Sequence, residues 1–367
     1  MNRLLFLFVS AILLGACGDK TPEATTAAVD TGIESAAPVV PAEIPRAIIF
    51  GNPERTVARI SPDGNYVSWL APKDGVMNVW VAPTDDPDNA RVITNDTYRG
   101  IPVYYWAPNS KYVYFIQDNG GDENFHVYSS DINSGEVRDL TPAEEGVRAG
   151  IEMVSSARPD HIVVGLNERD PQFFDLFIVD VTTGERELLK ENPGYGGWLI
   201  DNSLEPRFGL QPTPDGGANI VDFDGEVFSV IPPEDFLVTQ ELGFDKDNTA
   251  LFMLDSRGRD TAALTRVDLE TGEQAVLAAD DKADIQGILT DQRTLEPVAY
   301  NVDYLKSSWY GLTDEVAADF ATLTEQLEGS LSIVSTTEDM SKWVVYEDAS
   351  ERPGAYYVYD RENGSVS

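Results

Sequence analysis

The sequence predicts an all-β fold, a seven-bladed β-propeller, and three observations carry that expectation. A unit of short alternating strands bounded by Asp, Asn, Gly and Pro turns recurs from Ile60 to the C-terminus. Its copies are spaced mostly in the mid-forties to mid-fifties of residues, the length of a four-stranded blade. Only one stretch, Asp314 to Leu327, places apolar residues at helical spacing. A sheet of short strands cannot bury both of its faces alone, so the copies must stack. A parallel β-helix would need a much shorter period, and a sandwich would not repeat its turn chemistry in seven copies.

The expected organisation begins with a leader over residues 1–16. Arg3 precedes the apolar stretch Leu4–Leu14, which is too short for a membrane span and has the layout of a signal peptide. Leu14-Gly15-Ala16-Cys17 then matches the lipobox of bacterial lipoproteins, where small residues permit the cut and the thiol of Cys17 carries the lipid. Gly18 follows the cysteine where an aspartate would favour the inner membrane, so the expected location is the cell envelope, lipid-anchored to the outer membrane. Residues 17–45 are rich in Ala, Thr, Pro, Glu and Val without period, as in a disordered tether. The propeller is expected over residues 46–367.

The first copy reads Ile60-Ser61-Pro62-Asp63-Gly64-Asn65 as a turn, Tyr66–Leu70 as a strand and Asn78–Ala82 as its partner. The second repeats this with Trp106–Ser110, Tyr112–Ile116 and Phe125–Tyr128, closing through the turn Asn133-Ser134-Gly135-Glu136. Further copies are expected at Arg158-Pro159-Asp160, Pro214-Asp215-Gly216, Asp245-Lys246-Asp247, Thr290-Asp291-Gln292 and Thr337-Glu338-Asp339. On this spacing the fourth copy is compressed and the sixth is weak. The helix falls in the sixth, where it is expected to decorate the blade.

Composition narrows the function. The 367 residues carry 63 acidic and 26 basic side chains, a formal net charge of -37, which repels nucleic acid and excludes it as a partner. One cysteine permits no internal disulfide. The two histidines, His126 and His161, fall in different copies and form no zinc signature. No Gly-x-Ser-x-Gly elbow and no phosphate-binding loop occur, so no catalytic residue, metal or cofactor is expected on this chain. The segment that exceeds what a turn needs is Gln117-Asp118-Asn119-Gly120-Gly121-Asp122-Glu123-Asn124, between two strands of the second copy. Asp122, Glu123 and Asn124 are the candidate substrate-binding residues, since a carboxylate there can hold an amine by charge-assisted hydrogen bonds. The alternative is a Gly-Gly turn with solvated acids.

From Phe50-Gly51-Asn52-Pro53-Glu54 onward the chain resembles the propeller half of the prolyl oligopeptidase family of serine peptidases, in its acylaminoacyl-peptidase and dipeptidyl-peptidase-like bacterial branch. The resemblance rests on Ile60–Gly64, the Gln117–Asn124 hairpin, Asp139-Leu140-Thr141-Pro142, Asp255-Ser256-Arg257-Gly258-Arg259-Asp260 and Tyr356-Tyr357-Val358-Tyr359-Asp360-Arg361. It implies a propeller that gates short peptides for an α/β-hydrolase domain, which in that family follows the propeller and holds the catalytic serine, aspartate and histidine. This chain stops at Ser367, where that domain would start, so none of those residues is carried here and a fragment of a longer peptidase is expected. The rival expectation is a free-standing propeller, similar to TolB, that binds a partner in the envelope.

Overall fold

The computed structural model describes residues 44–367. Cys17, the expected leader and nearly all of the tether lie outside the described residues. The chain divides into two units after Gly51. In the first, a short helix α1 spans Arg46–Phe50, entered from extended Pro45. The second, Asn52–Ser367, is a ring of seven antiparallel sheets.

Six blades have four strands each, laid down in chain order from first to last. Blade 1 runs through Thr56–Ile60, Tyr66–Lys73, Val76–Pro83 and Arg91–Val92, and blade 2 through Tyr104–Trp106, Tyr112–Gln117, His126–Asp131 and Val137–Asp139. Blade 3 spans 149–190, blade 4 spans 197–231 and blade 5 spans 240–278. Blade 6 has three strands, Ile285–Thr290, Pro297–Asp303 and Ser307–Gly311. Blade 7 closes the chain with Ser330–Thr336, Lys342–Ala349, Arg352–Asp360 and Ser365–Val366.

The middle strands are buried on both faces, which is why their sequences are apolar runs rather than simple alternations. In Tyr66–Lys73 of blade 1, Val67, Trp69 and Ala71 pack with Val344 of blade 7. Leu70, on the opposite face, joins Tyr104, Trp106 and Phe115 of blade 2. The pleat thus splits one strand between two neighbouring cores. Within the polar remainder, Ser68 is fully buried but its hydroxyl meets Tyr104 Oη at 3.0 Å and accepts from Trp106 Nε1 at 2.8 Å.

Local chemistry sets the turns. Third strands of blades 2, 3, 5 and 7 end in Asp131, Asp180, Asp268 and Asp360, whose carboxylates accept backbone N–H groups two residues on. Each turn closes on a glycine four residues later; Gly135, at φ +71°, shows the left-handed geometry that makes glycine the cheap choice. The fourth copy is corrected by the structure. Its first hairpin turn is Asp201-Asn202-Ser203-Leu204-Glu205, while Pro214-Asp215-Gly216 joins the second and third strands. Reading the wrong hairpin produced the apparent compression. Asp201 Oδ1 accepts from Ser203 and Glu205, chemistry that carries no Gly or Pro to signal it.

The sixth copy is weak because helix α2, Asp314–Gln326, stands where a fourth strand would be. The Thr313 hydroxyl caps it by accepting from Val316 N. Val316, Phe320 and Leu323 face a core shared with Trp343, Val345 and Tyr359 of blade 7. A side chain at Gly311 would meet Ala317 N at 2.3 Å, so the close approach of strand and helix requires glycine there. Asp319 completes the lock, accepting from Tyr359 Oη at 2.9 Å and Arg361 Nε at 2.8 Å.

Among the described residues no strand is exchanged between blades 7 and 1. The seam is apolar, through Ile60, Trp69, Val344 and their neighbours, and is pinned by Ile60 N donating to Ser335 Oγ at 2.9 Å. Val57, at φ +52° a costly conformation for a β-branched residue, is held there from both sides. Its N–H donates to Tyr356 Oη at 3.0 Å and its carbonyl accepts from Tyr104 Oη at 2.7 Å.

Candidate functional site

Antiparallel order gives the ring two unlike ends. The turns between first and second strands, and between third and fourth, share one end, the turn face. The hairpins between second and third strands share the other with the blade-to-blade connections; this is the connection face.

On the connection face stands the hairpin Gln117–Asn124. Asp118, its side chain only 2% exposed, accepts from Glu123 N at 3.1 Å and pairs with Arg99 at 3.4 Å. Gln117 Nε2 donates to Gly100 O at 3.0 Å, tying the hairpin to the connection between blades 1 and 2. Asp122 Oδ1 accepts from Asn119 N at 3.2 Å and Asn124 N at 3.1 Å. The Asn124 N–H is the main reason the Asp122 carboxyl is held below the usual range. Asp122 therefore closes the turn while remaining anionic. Glu123 is exposed at φ +60°, and its carboxylate has no hydrogen-bond partner among the described residues. Asn124 is half-buried at the foot of the hairpin. Behind it, His126 Nδ1 lies 2.9 Å from Asp139 Oδ2, which makes this histidine part of the support. His161 starts the second strand of blade 3, away from the hairpin.

The same face carries large apolar side chains in the open. Tyr98 belongs to the connection between blades 1 and 2, Leu237 to that between blades 4 and 5, and Leu305 to the second hairpin of blade 6; they are 71%, 83% and 88% exposed. Phe236, Val238 and Tyr304 extend the set. Scattered exposed apolars are ordinary, but recurrence on one end of the ring is not. The Phe236–Val238 loop is braced from below: Ser256 Oγ donates to Asp235 Oδ1 at 2.7 Å and meets Thr239 Oγ1 at 3.1 Å. Arg257 clamps the adjoining hairpin, bidentate to buried Asp255 and donating to Val230 O of blade 4 at 2.9 Å. Burial pushes the Asp255 carboxyl up, but Arg257 and Gln274 outweigh it and the carboxyl stays ionised. The Asp255–Asp260 segment, a mark of the family resemblance in the sequence, holds this loop through Ser256 and Arg257.

The turn face is polar. A cavity of about 630 Å³ opens there, lined by first-hairpin residues of six blades, among them Asp63, Asn202, Lys246, Arg293, Glu338 and Asp339. Its lining comes from turns far apart in sequence, and nothing in the sequence marked them as neighbours.

No family model matches the chain. Dipeptidyl aminopeptidase BIII of Pseudoxanthomonas mexicana is 40% identical over 329 residues, 88% of this chain and 48% of that protein. Over that length the chain is a homologue of this dipeptidyl aminopeptidase. Dipeptidyl peptidase family member 6 of Caenorhabditis elegans is 25% identical over 340 residues, 87% of this chain and 46% of its own length. The chain thus spans about half the length of the curated relatives it matches. Among solved structures, a prolyl endopeptidase aligns at TM-score 0.56 and 12% identity, covering 86% of this chain and 48% of that one. A puromycin hydrolase aligns at 0.53 and 14% identity, covering 86% and 53%. At such identities the likeness is one of fold.

Proposed function

We propose that the chain is the non-catalytic propeller of a lipid-anchored serine peptidase, and that it caps an α/β-hydrolase half with its connection face. The observation that carries this is the gathering of Tyr98, Leu237 and Leu305 on the face that also bears the Asp122–Asn124 hairpin. Apolar side chains on a braced scaffold suit a permanent partner domain. A propeller set over the active site excludes folded proteins, so the substrates are short peptides, and Glu123 meets the substrate amine, supported by Asp122 and Asn124. Cys17 carries the lipid, and the protein works in the periplasm or at the cell surface from an outer-membrane anchor. No metal or cofactor enters this scheme.

The test is a chimera in which residues 46–367 replace the propeller of the Pseudoxanthomonas enzyme. Release of dipeptides from chromogenic substrates, at a rate within about tenfold of the parent, supports the reading. A folded chimera that binds no substrate, or one that digests folded proteins, overturns it. Radiolabelled palmitate incorporated into the full chain, and lost in Cys17→Ser, tests the anchor separately.

A further inference from the structure

We infer that the cavity on the turn face is a binding site for short zwitterionic peptides, dipeptides in particular, on their way out of the ring. This rests on the peptidase reading above. The cavity is polarised along its rim. Asp63 of blade 1 sits beside Glu338 and Asp339 of blade 7, the two turns being joined by Glu338 N donating to Pro62 O at 2.8 Å. Lys246 of blade 5 and Arg293 of blade 6 form the adjoining arc, joined by Lys246 Nζ donating to Arg293 O at 3.0 Å. The Arg293 guanidinium is already held by the Asp291 carboxylate, Nε at 3.1 Å and Nη2 at 2.6 Å, so the Lys246 ammonium is the group this arc offers to a ligand.

Each arc keeps unused capacity. An ammonium has three donors, and Lys246 spends one of them within the protein. The Asp339 carboxyl is held down to about 2, chiefly by the Thr337 and Ser341 hydroxyls and the Ser341 N–H, so it is anionic at any physiological pH. Glu338 is exposed and its carboxylate has no hydrogen-bond partner among the described residues. A ligand with a free amine and a free carboxylate is the small molecule that answers both arcs at once, and a dipeptide fits the space. The cavity lies at the end of the ring opposite the Asp122–Asn124 hairpin, so substrate handling and product release fall on different faces. Charges at an open mouth are well solvated and bind weakly, as an exit requires.

The experiment is isothermal titration and saturation-transfer NMR on the full chain with Ala-Ala, N-acetyl-Ala-Ala and Ala-Ala-amide. The expected result is saturable millimolar binding of the zwitterion, weakened about fivefold or more by capping either end. Glu338→Gln should erase the difference between Ala-Ala and its acetylated form, and Lys246→Gln the difference between Ala-Ala and its amide. Both residues are at the rim, and circular dichroism confirms that the variants fold. No saturable binding, or binding indifferent to both substitutions, overturns the inference. The chimera tests the peptidase reading independently: an active chimera with an indifferent mouth sinks this inference alone.

Discussion

The backbone N–H of Glu338 in blade 7 donates to the Pro62 carbonyl in blade 1 at 2.8 Å, and this bond completes a circuit of turn-to-turn contacts around the ring. Asp63 N reaches Ser110 Oγ, Asn109 reaches Asp160, Ser155 Oγ reaches Asn202 O, Asn202 reaches Asn248, and Lys246 reaches Arg293. Blades 6 and 7 are linked by helix α2 and by attraction between Arg293 and Asp339. Side chains thus do on the turn face what an exchanged strand would do in a latched ring.

The seam can be weakened selectively. Ser335→Ala removes the acceptor of the Ile60 N–H, and Ile60 is only 2% exposed. A stranded buried donor costs about 1–3 kcal/mol, so urea denaturation should show that loss with little change in slope. Ser110→Ala, at the more solvated contact between blades 1 and 2, should cost less.

Glu347 and Arg352 should respond asymmetrically. The Glu347 side chain is fully buried and bound by Arg352 and by the N–H groups of Glu328 and Gly329, whereas Arg352 is half exposed. Burial pushes the Glu347 carboxyl up, and Arg352 with Gly329 more than reverses this. Arg352→Ala leaves a buried anion unpaired and should cost about 3–5 kcal/mol, while Glu347→Gln frees a cation that already reaches water and should cost less. In Arg352→Ala the raised carboxyl reverses the sign of the dependence, and stability should then fall as pH rises through the Glu347 titration.

Acid should unfold the ring through its turns. The Thr182 hydroxyl holds the Asp180 carboxyl below its ordinary value, and the Thr271 N–H and hydroxyl do the same for Asp268. Depressed folded values mean that this stabilisation is complete above the ordinary aspartate value of about 4 and is lost as pH falls through the lowered folded values. At pH 7 the formal charge of -37 opposes compaction, so raising sodium chloride from low concentration should raise the melting temperature. Scanning fluorimetry across pH and salt checks both.

In the chimera, Glu123→Gln should raise KM for substrates with a free amine severalfold, with unchanged melting temperature. Asp122→Ala should lower the melting temperature as well, because Asp122 closes the turn by accepting from Asn119 and Asn124. Equal effects of Glu123→Gln on free and blocked substrates would remove Glu123 from amine recognition.

Leu237→Asp should leave the isolated propeller folded, since that side chain is 83% exposed, yet lower chimera activity or thermal stability. An unaffected chimera would mean that this loop is not part of the domain contact.

Blade number, the Gln117–Asn124 hairpin and helix α2 were legible in the sequence because each is written in local chemistry. Asp-x-x-x-Gly turns recur, strand alternation recurs, and one stretch repeats at the helical period. The fourth blade differs from its sequence reading by one hairpin because Asp201–Glu205 closes its turn through the Asp201 carboxylate and its own backbone, with no Gly or Pro, while Pro214-Asp215-Gly216 advertises a turn of a different kind. What only the tertiary structure decided is which turns meet. Asp63 and Glu338 lie at opposite ends of the propeller sequence and share a rim because the ring closes, and Tyr98, Leu237 and Leu305 share a face because every second loop of an antiparallel blade returns to the same end. Local sequence determines the repeating unit; the closure of the ring, a long-range packing event between blades 1 and 7, determines the sites.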